Sequence, residues 1–220
     1  FSRGETDAIV RAAKVYEFTV TEVFQAAVIL ATKHLSKGRG AQKYSSFWLI
    51  DCRARCKAPF DSNKHPMATY HWGGPIMISP TNFLSTAIDV KKKYRDTRAD
   101  EDLLPSYAPL LAAMVVGFSQ PSSAAPSSAP ILSSLGVLDS SLGALDSKLS
   151  GKYGSIGVKS FWLADDILSH HVETFLWTWK GTIELSGAYN EAFNEAGMVE
   201  KYLTTIKEMV FDGLGIDLSE

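Results

Sequence analysis

Apolar side chains recur at Ile9, Ala12, Ala13 and Tyr16, the i, i+3, i+4, i+7 spacing of one helix face, which predicts a first helix over about Arg3–Tyr16. Ser2 and Glu5 stand at its start with the spacing of a capping box, and Phe1 takes the place of a hydrophobic staple. Thr19 and Glu22 repeat that spacing ahead of Val20, Val23, Phe24, Ala27, Leu30, Ala31 and Leu35, a wide apolar face that ends at Gly38. The second helix is therefore expected to be buried over much of its circumference. Because this pattern is under way at the first residue, with no initiator Met, we read the chain as part of a longer polypeptide.

From Tyr44 to Cys56 the period changes to two. Trp48, Ile50, Cys52, Ala54 and Cys56 share one face, and Phe47, Leu49, Asp51, Arg53 and Arg55 share the other. The second face begins apolar and turns charged, as a central strand pointing charges into a cleft would, or an exposed strand end carrying solvated charges. Pro59, Asp61, Asn63 and Pro66 mark residues 57–68 as a loop. A strand follows over Thr69–Ser79, where Gly73, Gly74 and Pro75 predict a bulge or a close backbone approach. Thr81 or Asn82 can cap a helix continuing through Tyr94, and Leu103–Gly117 reads as a helix that starts or kinks at Pro105 or Pro109. Residues 118–130 are nearly all Ser, Ala and Pro, the composition of a mobile surface loop. Strands are expected at Ile131–Leu138, Val158–Ala164 and Glu173–Tyr189, the last a hairpin turning at Lys180-Gly181. A closing helix over Gly197–Leu214 buries Val199, Tyr202, Leu203, Ile206, Met209 and Val210. This order predicts an α/β fold, a layered mixed sheet with helices packed on it.

With 220 residues, 45% hydrophobic and 21% charged, the chain can bury a sizeable core. A net charge of -2 with no basic stripe among aromatics argues against nucleic acid as a partner. The longest apolar stretch, Pro109–Phe118, is about half of the ~20 residues a membrane helix needs, so no membrane partner is expected. Cys52 and Cys56 are the only cysteines; in a strand their Cα atoms would stand ~13 Å apart, too far to bridge. Two free thiols favour a reducing compartment, and the expected localisation is cytoplasmic. His65 and His71 lie near them, but the spacing matches no common zinc pattern, and no metal is expected.

Several side chains could carry chemistry. His170-His171 could do acid–base work given an orienting carboxylate, or could be an exposed loop pair; Asp165, Asp166 and Glu173 are the only carboxylates near it in sequence. Ser133-Ser134-Leu135-Gly136 could aim donors at an oxyanion, or be a strand that bends at a glycine. Trp162, Phe175, Trp177 and Trp179 could line a pocket for an acyl or polyketide ligand, although alternating aromatics on strands are commonly core. Lys91-Lys92-Lys93 reads as a solvated helix face, or as a contact for the phosphates of a nucleotide-like cofactor. No G-x-S-x-G elbow, P-loop or dinucleotide fingerprint occurs.

Taken in order, the segments resemble the C-terminal lobe of the chloramphenicol-acetyltransferase-like superfamily, which includes peptide-synthetase condensation domains. Among its members they look most like fungal secondary-metabolite acyltransferases. The resemblance spans nearly the whole chain. Its carriers are Thr19 to Ala27 opening the long helix, Leu49-Ile50-Asp51-Cys52-Arg53 on the next strand, and Ile131 to Gly136 in the floor-loop position, followed by Phe175 to Gly181 and Leu185 to Asn190 ahead of the closing helix. It implies one lobe of a two-lobed fold, with residues 1–220 as the C-terminal lobe and the H-H-x-x-x-D-G signature in an N-terminal lobe outside this chain. His170-His171 departs from that signature, having Phe175 where the Asp belongs, and is read as a decoy; no catalytic residue is expected here. By the same resemblance Arg53 matches the arginine that grips the signature's Asp and fixes the lobe junction. Ser133, Ser134, Trp177 and Ser186 are candidates for lining the substrate tunnel. The implied activity is acyl transfer from acyl-CoA or an acyl-carrier thioester, as co-substrate, to a hydroxyl or amine of a small-molecule acceptor, with no permanently bound cofactor. The partner is the N-terminal lobe, in the same or a separate chain, and this chain alone is expected to be inactive. A non-catalytic binding half, or a cyclase that uses the inter-lobe cavity, remains the alternative.

Overall fold

Both capping boxes form as the sequence specifies. In the computed structural model, which describes residues 1–36, 43–61, 70–119, 129–138, 152–153 and 156–217, Ser2 Oγ accepts from Glu5 N at the start of α1 (Arg3–Val15). Thr19 Oγ1 accepts from Glu22 N at the start of α2 (Val20–Leu35). In each case the glutamate returns a bond to the cap backbone, so two otherwise unsatisfied N–H groups are satisfied reciprocally. Helix α2 is buried on Val23, Phe24, Ala26, Ala27, Val28, Ile29 and Ala31 and forms the centre of the main core.

Strand β1 (Tyr44–Asp51) pairs antiparallel with β2 (His71–Ile78). Tyr44, Ser46, Trp48 and Ile50 point into the core, and Trp48 lies against Tyr94 at a centroid distance of 4.3 Å. The strand ends sooner than its alternation suggests. Asp51 Oδ1 accepts from Arg53 N, and Arg55 N donates to Cys52 O, so Arg53–Arg55 coil into a 3-10 turn instead of continuing to Cys56. This corrects the extended spacing expected for the two thiols, because Cys56 Sγ comes within 3.5 Å of Cys52 O. Among the described residues β1 pairs with β2 alone; on its other side the Tyr44 and Ser46 hydroxyls both donate to Pro130 O. The pairing runs through Gly73, Gly74 and Pro75 without a bulge, and what comes close to Gly74 is the Trp72 ring and not another backbone: a Cβ there would meet that ring at 1.9 Å.

Asn82 caps α3 (Phe83–Ala99), which runs past Tyr94 for a further turn, and α4 (Leu103–Ser119) accommodates Pro109 within it. The expected loop at 118–130 is therefore helix at its first two residues, Pro130 leads into the next strand, and 120–128 lie outside the described residues. Strand β3 (Ile131–Val137) is followed by the two-residue strands β4 (Lys152–Tyr153) and β5 (Ile156–Gly157), which pair with each other. The strand expected at Val158–Ala164 does not form; the segment is irregular and packs its apolar side chains one by one. Strands β6 (Glu173–Trp179) and β7 (Thr182–Ala188) make the expected hairpin. Lys180 and Gly181 have φ of +48° and +76°, the left-handed pair that a tight two-residue hairpin requires. Strand β3 joins β6 in parallel, giving a mixed three-stranded sheet in the order β3-β6-β7. Helix α5 (Ala196–Leu214) packs chiefly on α2, burying Val199, Tyr202, Ile206 and Val210. The result is the layered α/β arrangement read from the pattern. Among the described residues no single helix is long and apolar enough to cross a membrane.

Candidate active-site face

The β3-β6-β7 sheet has two faces with different chemistry. On the first, Leu132, Leu176 and Ile183 join the main core, and the Ser134 hydroxyl meets the Thr21 hydroxyl of α2 at 2.7 Å. On the second, strand alternation and register place Ser133, Phe175 and Ser186 in one row across the three strands, with Trp177 two residues along β6. The structure thus brings Ser133, Trp177 and Ser186 to one face and puts Ser134 on the other, satisfied by α2.

Residues 158–168 lie over the second face as a strap. Trp179 Nε1 donates to Lys159 O at 3.1 Å, the Phe161 ring stands edge-on to Trp177 with centroids 5.9 Å apart, and Asn190 Nδ2 donates to Ile167 O at 2.9 Å. Leu138, Ile167, Phe175, Trp177 and Trp179 form a second small core beneath it. The indole N–H of Trp177, a residue 4% exposed, and the hydroxyl of Ser186 are both buried there with no hydrogen-bond partner among the described residues. Buried donors of this kind cost about 1–3 kcal/mol each when unsatisfied. Both lie beneath the strap, so an oxygen acceptor reaches them only if residues 158–168 shift. Trp162, grouped with these aromatics by sequence, is instead 78% exposed.

Near the start of β6 lie His170, His171 and Glu173. His171 Nδ1 is bonded to the Ser169 hydroxyl, and burial pushes the imidazole below its usual range. His170 is stacked on Phe193 at 3.9 Å, with its carbonyl oxygen accepting from Asn194 Nδ2. The Glu173 carboxyl is pushed up, first by burial and then by the negative charge of Asp165. The pair therefore occupies the irregular segment expected for it, but half-buried instead of exposed. Lys91, from the basic run, donates to Glu17 O at 2.7 Å and so ties α3 to the turn between α1 and α2.

Arg53 sits in the 3-10 turn after β1. Its guanidinium lies 4.6 Å from the centroid of Tyr70, and its Nε is buried with no hydrogen-bond partner among the described residues. Arg55 points elsewhere, donating from Nη1 to Asp100 O at 2.7 Å. Sequence reasoning missed Tyr70 and the strap: residues 57–69 separate Tyr70 from Arg53 in the chain, of which 62–69, most of the expected loop, lie outside the described residues, and the strap's apolar residues imitate a strand. His65 falls outside the described residues, and among those described no group of three or more His, Cys, Asp or Glu could hold a metal ion.

No protein-family model matches the chain. It is 23% identical over 223 residues to the O-acetyltransferase pigM of Monascus ruber, covering 99% of this chain and 42% of that protein. It is 25% identical over 233 residues to the azaphilone biosynthesis cluster protein M of Aspergillus terreus, covering 100% of this chain and 53% of that protein. Among solved structures it superposes on the TRI3 trichothecene 15-O-acetyltransferase from Fusarium sporotrichioides with a TM-score of 0.76 at 20% identity, covering 99% of this chain and 46% of that one. The first condensation domain of the CDA synthetase follows the same fold, with a TM-score of 0.60 at 14% identity over 97% of this chain and 43% of that one.

The fold is thus the chloramphenicol-acetyltransferase-like fold of acetyltransferases and condensation domains, and the resemblance read from the sequence is borne out. The particular relatives are fungal proteins of secondary metabolism, and the chain spans about half the length of the curated relatives it matches.

Proposed function

We propose that this chain is the C-terminal lobe of an acyltransferase that moves an acyl group from a CoA or carrier-protein thioester to a hydroxyl or amine of a secondary metabolite. The observation that carries the reading is the end-to-end similarity to two fungal proteins, one of them named as an O-acetyltransferase and each about twice as long as this chain. In this reading a histidine of the other lobe deprotonates the acceptor, which attacks the thioester carbonyl; the thiolate leaves, and the acyl group ends on oxygen or nitrogen. This lobe contributes architecture and lining. In this reading Arg53, which lies over the Tyr70 ring and whose Nε has no partner among the described residues, grips a carboxylate of the other lobe through parallel hydrogen bonds. In this reading Ser133, Trp177 and Ser186 line the acceptor side once the 158–168 strap moves, and the two donors without a partner among the described residues then hold substrate oxygen. Ser134, engaged with Thr21, supports the wall from behind. Two free thiols agree with a reducing, cytoplasmic setting.

The test is acetyl transfer from acetyl-CoA, followed by release of free CoA thiol, with this chain alone and with the chain joined to the other half found in its relatives. Turnover by the joined protein and none by the chain alone is expected. Transfer by the isolated chain, abolished in His171→Ala, would overturn the decoy reading of the histidine pair.

A further inference from the structure

Helix α4 has no charged residue between Leu103 and Ser119. It seats Leu103, Leu104, Tyr107 and Leu110 against the main core, the spacing of one helix face. The adjoining stripe points outward and is equally apolar: Leu111 is 44% exposed, Val115 57% and Val116 60%. A helix facing water normally carries charge on that side, so an uncharged outer stripe marks a surface built to be covered. A membrane surface suits it poorly, since interfacial helices carry Lys and Arg beside their apolar face and α4 has neither. Its position points to a different cover. Arg55 Nη1 donates to Asp100 O three residues before α4 begins, which sets the start of the helix beside the turn that presents Arg53. The relatives are about twice as long as this chain.

We propose that the Leu111-Val115-Val116 stripe of α4 is a docking surface for the other lobe, continuous with the junction at Arg53. The proposal rests on the two-lobed reading above and adds where the lobes meet. An apolar stripe supplies area without direction, while a guanidinium–carboxylate pair supplies direction with little area. Together they define both adhesion and register.

The test places a thiol on the stripe with Val115→Cys and follows its reaction with a maleimide by peptide mass, using Cys56 as the internal reference. In the chain alone the new thiol should react as an open surface group, and in the joined two-lobed protein at least about tenfold more slowly. Val115→Asp should leave the melting temperature of the chain alone nearly unchanged while preventing separately expressed halves from co-purifying. Equal labelling rates in the two forms would overturn the proposal. So would protection of the isolated chain that grows with its own concentration, which indicates a second copy, or protection that appears only with phospholipid vesicles. Acetyl transfer measured on the same samples separates the two ideas: activity with an unprotected thiol sinks only the interface, and protection without activity sinks only the proposed reaction.

Discussion

Arg53 lies over the Tyr70 ring, 4.6 Å from its centroid, and this contact joins the turn after β1 to the residue that leads into β2. It holds the guanidinium in place while leaving Nε buried and unpaired among the described residues. A stacked arginine with bonding capacity to spare is preorganised for a planar anion.

The first prediction compares Arg53→Ala with Arg55→Ala. In the chain alone, loss of the stacking should cost about 1 kcal/mol, or roughly 2–4 °C in melting temperature for a protein of this size. In the two-lobed protein, where a carboxylate would be stranded, the cost should rise to about 3–5 kcal/mol. Arg55→Ala loses one exposed bond to Asp100 O and should stay within about 0.5–1 kcal/mol in both forms. Thermal melts of both variants in both forms check this. Equal small shifts everywhere would leave Arg53 a solvated charge.

The two faces of the β3-β6-β7 sheet should respond oppositely to loss of a hydroxyl. Thr21→Val and Ser134→Ala each strand the other's oxygen, and a double-mutant cycle should show about 0.5–1.5 kcal/mol of coupling. Ser186→Ala removes a hydroxyl that has no partner among the described residues, so the chain should be as stable as before or slightly more so. In the two-lobed protein the same variant should raise KM for the acceptor more than it lowers kcat. A stability loss above about 1 kcal/mol for Ser186→Ala would mean that its hydroxyl is already satisfied in the fold.

Two glutamates should act with opposite sign on the stability-versus-pH curve. Glu173 has a raised pKa in the folded state, so its contribution becomes unfavourable as pH rises through the window between the ordinary carboxylate value and its own. Glu173→Gln should therefore raise the melting temperature at neutral pH and change little in strong acid. Glu5 is held below its usual range, chiefly by its bond to Lys207, whose ion pair measures 2.8 Å. Its stabilisation is present above the unfolded pKa and is lost as pH falls through the folded one, so Glu5→Gln should destabilise at neutral pH and converge with wild type in acid. Melts of the three proteins across an acid-to-neutral series distinguish these slopes.

The chain's local rules were legible without coordinates. Capping boxes at Ser2/Glu5 and Thr19/Glu22, alternation at Trp48 and Ile50, and the Lys180-Gly181 turn each depend on contacts within a few residues, so spacing alone specifies them. The order of those elements also carried the resemblance to an acyltransferase lobe, because order survives where individual residues have diverged. Other features were set by bonds that spacing does not announce, some local and some between distant segments. Nothing near Asp51 in the alternation shows that its carboxylate will turn the backbone at Arg53, and the apolar residues of 158–168 look like a strand until Trp179 and Asn190 bind their carbonyls. Alternation already sets Ser133 and Ser134 on opposite faces, and tertiary structure alone assigned what each face meets. Adjacent residues of a strand face opposite sides, and only the packing of α2 against β3 decided that Thr21 would take one hydroxyl while the sheet's other face kept Trp177 and Ser186.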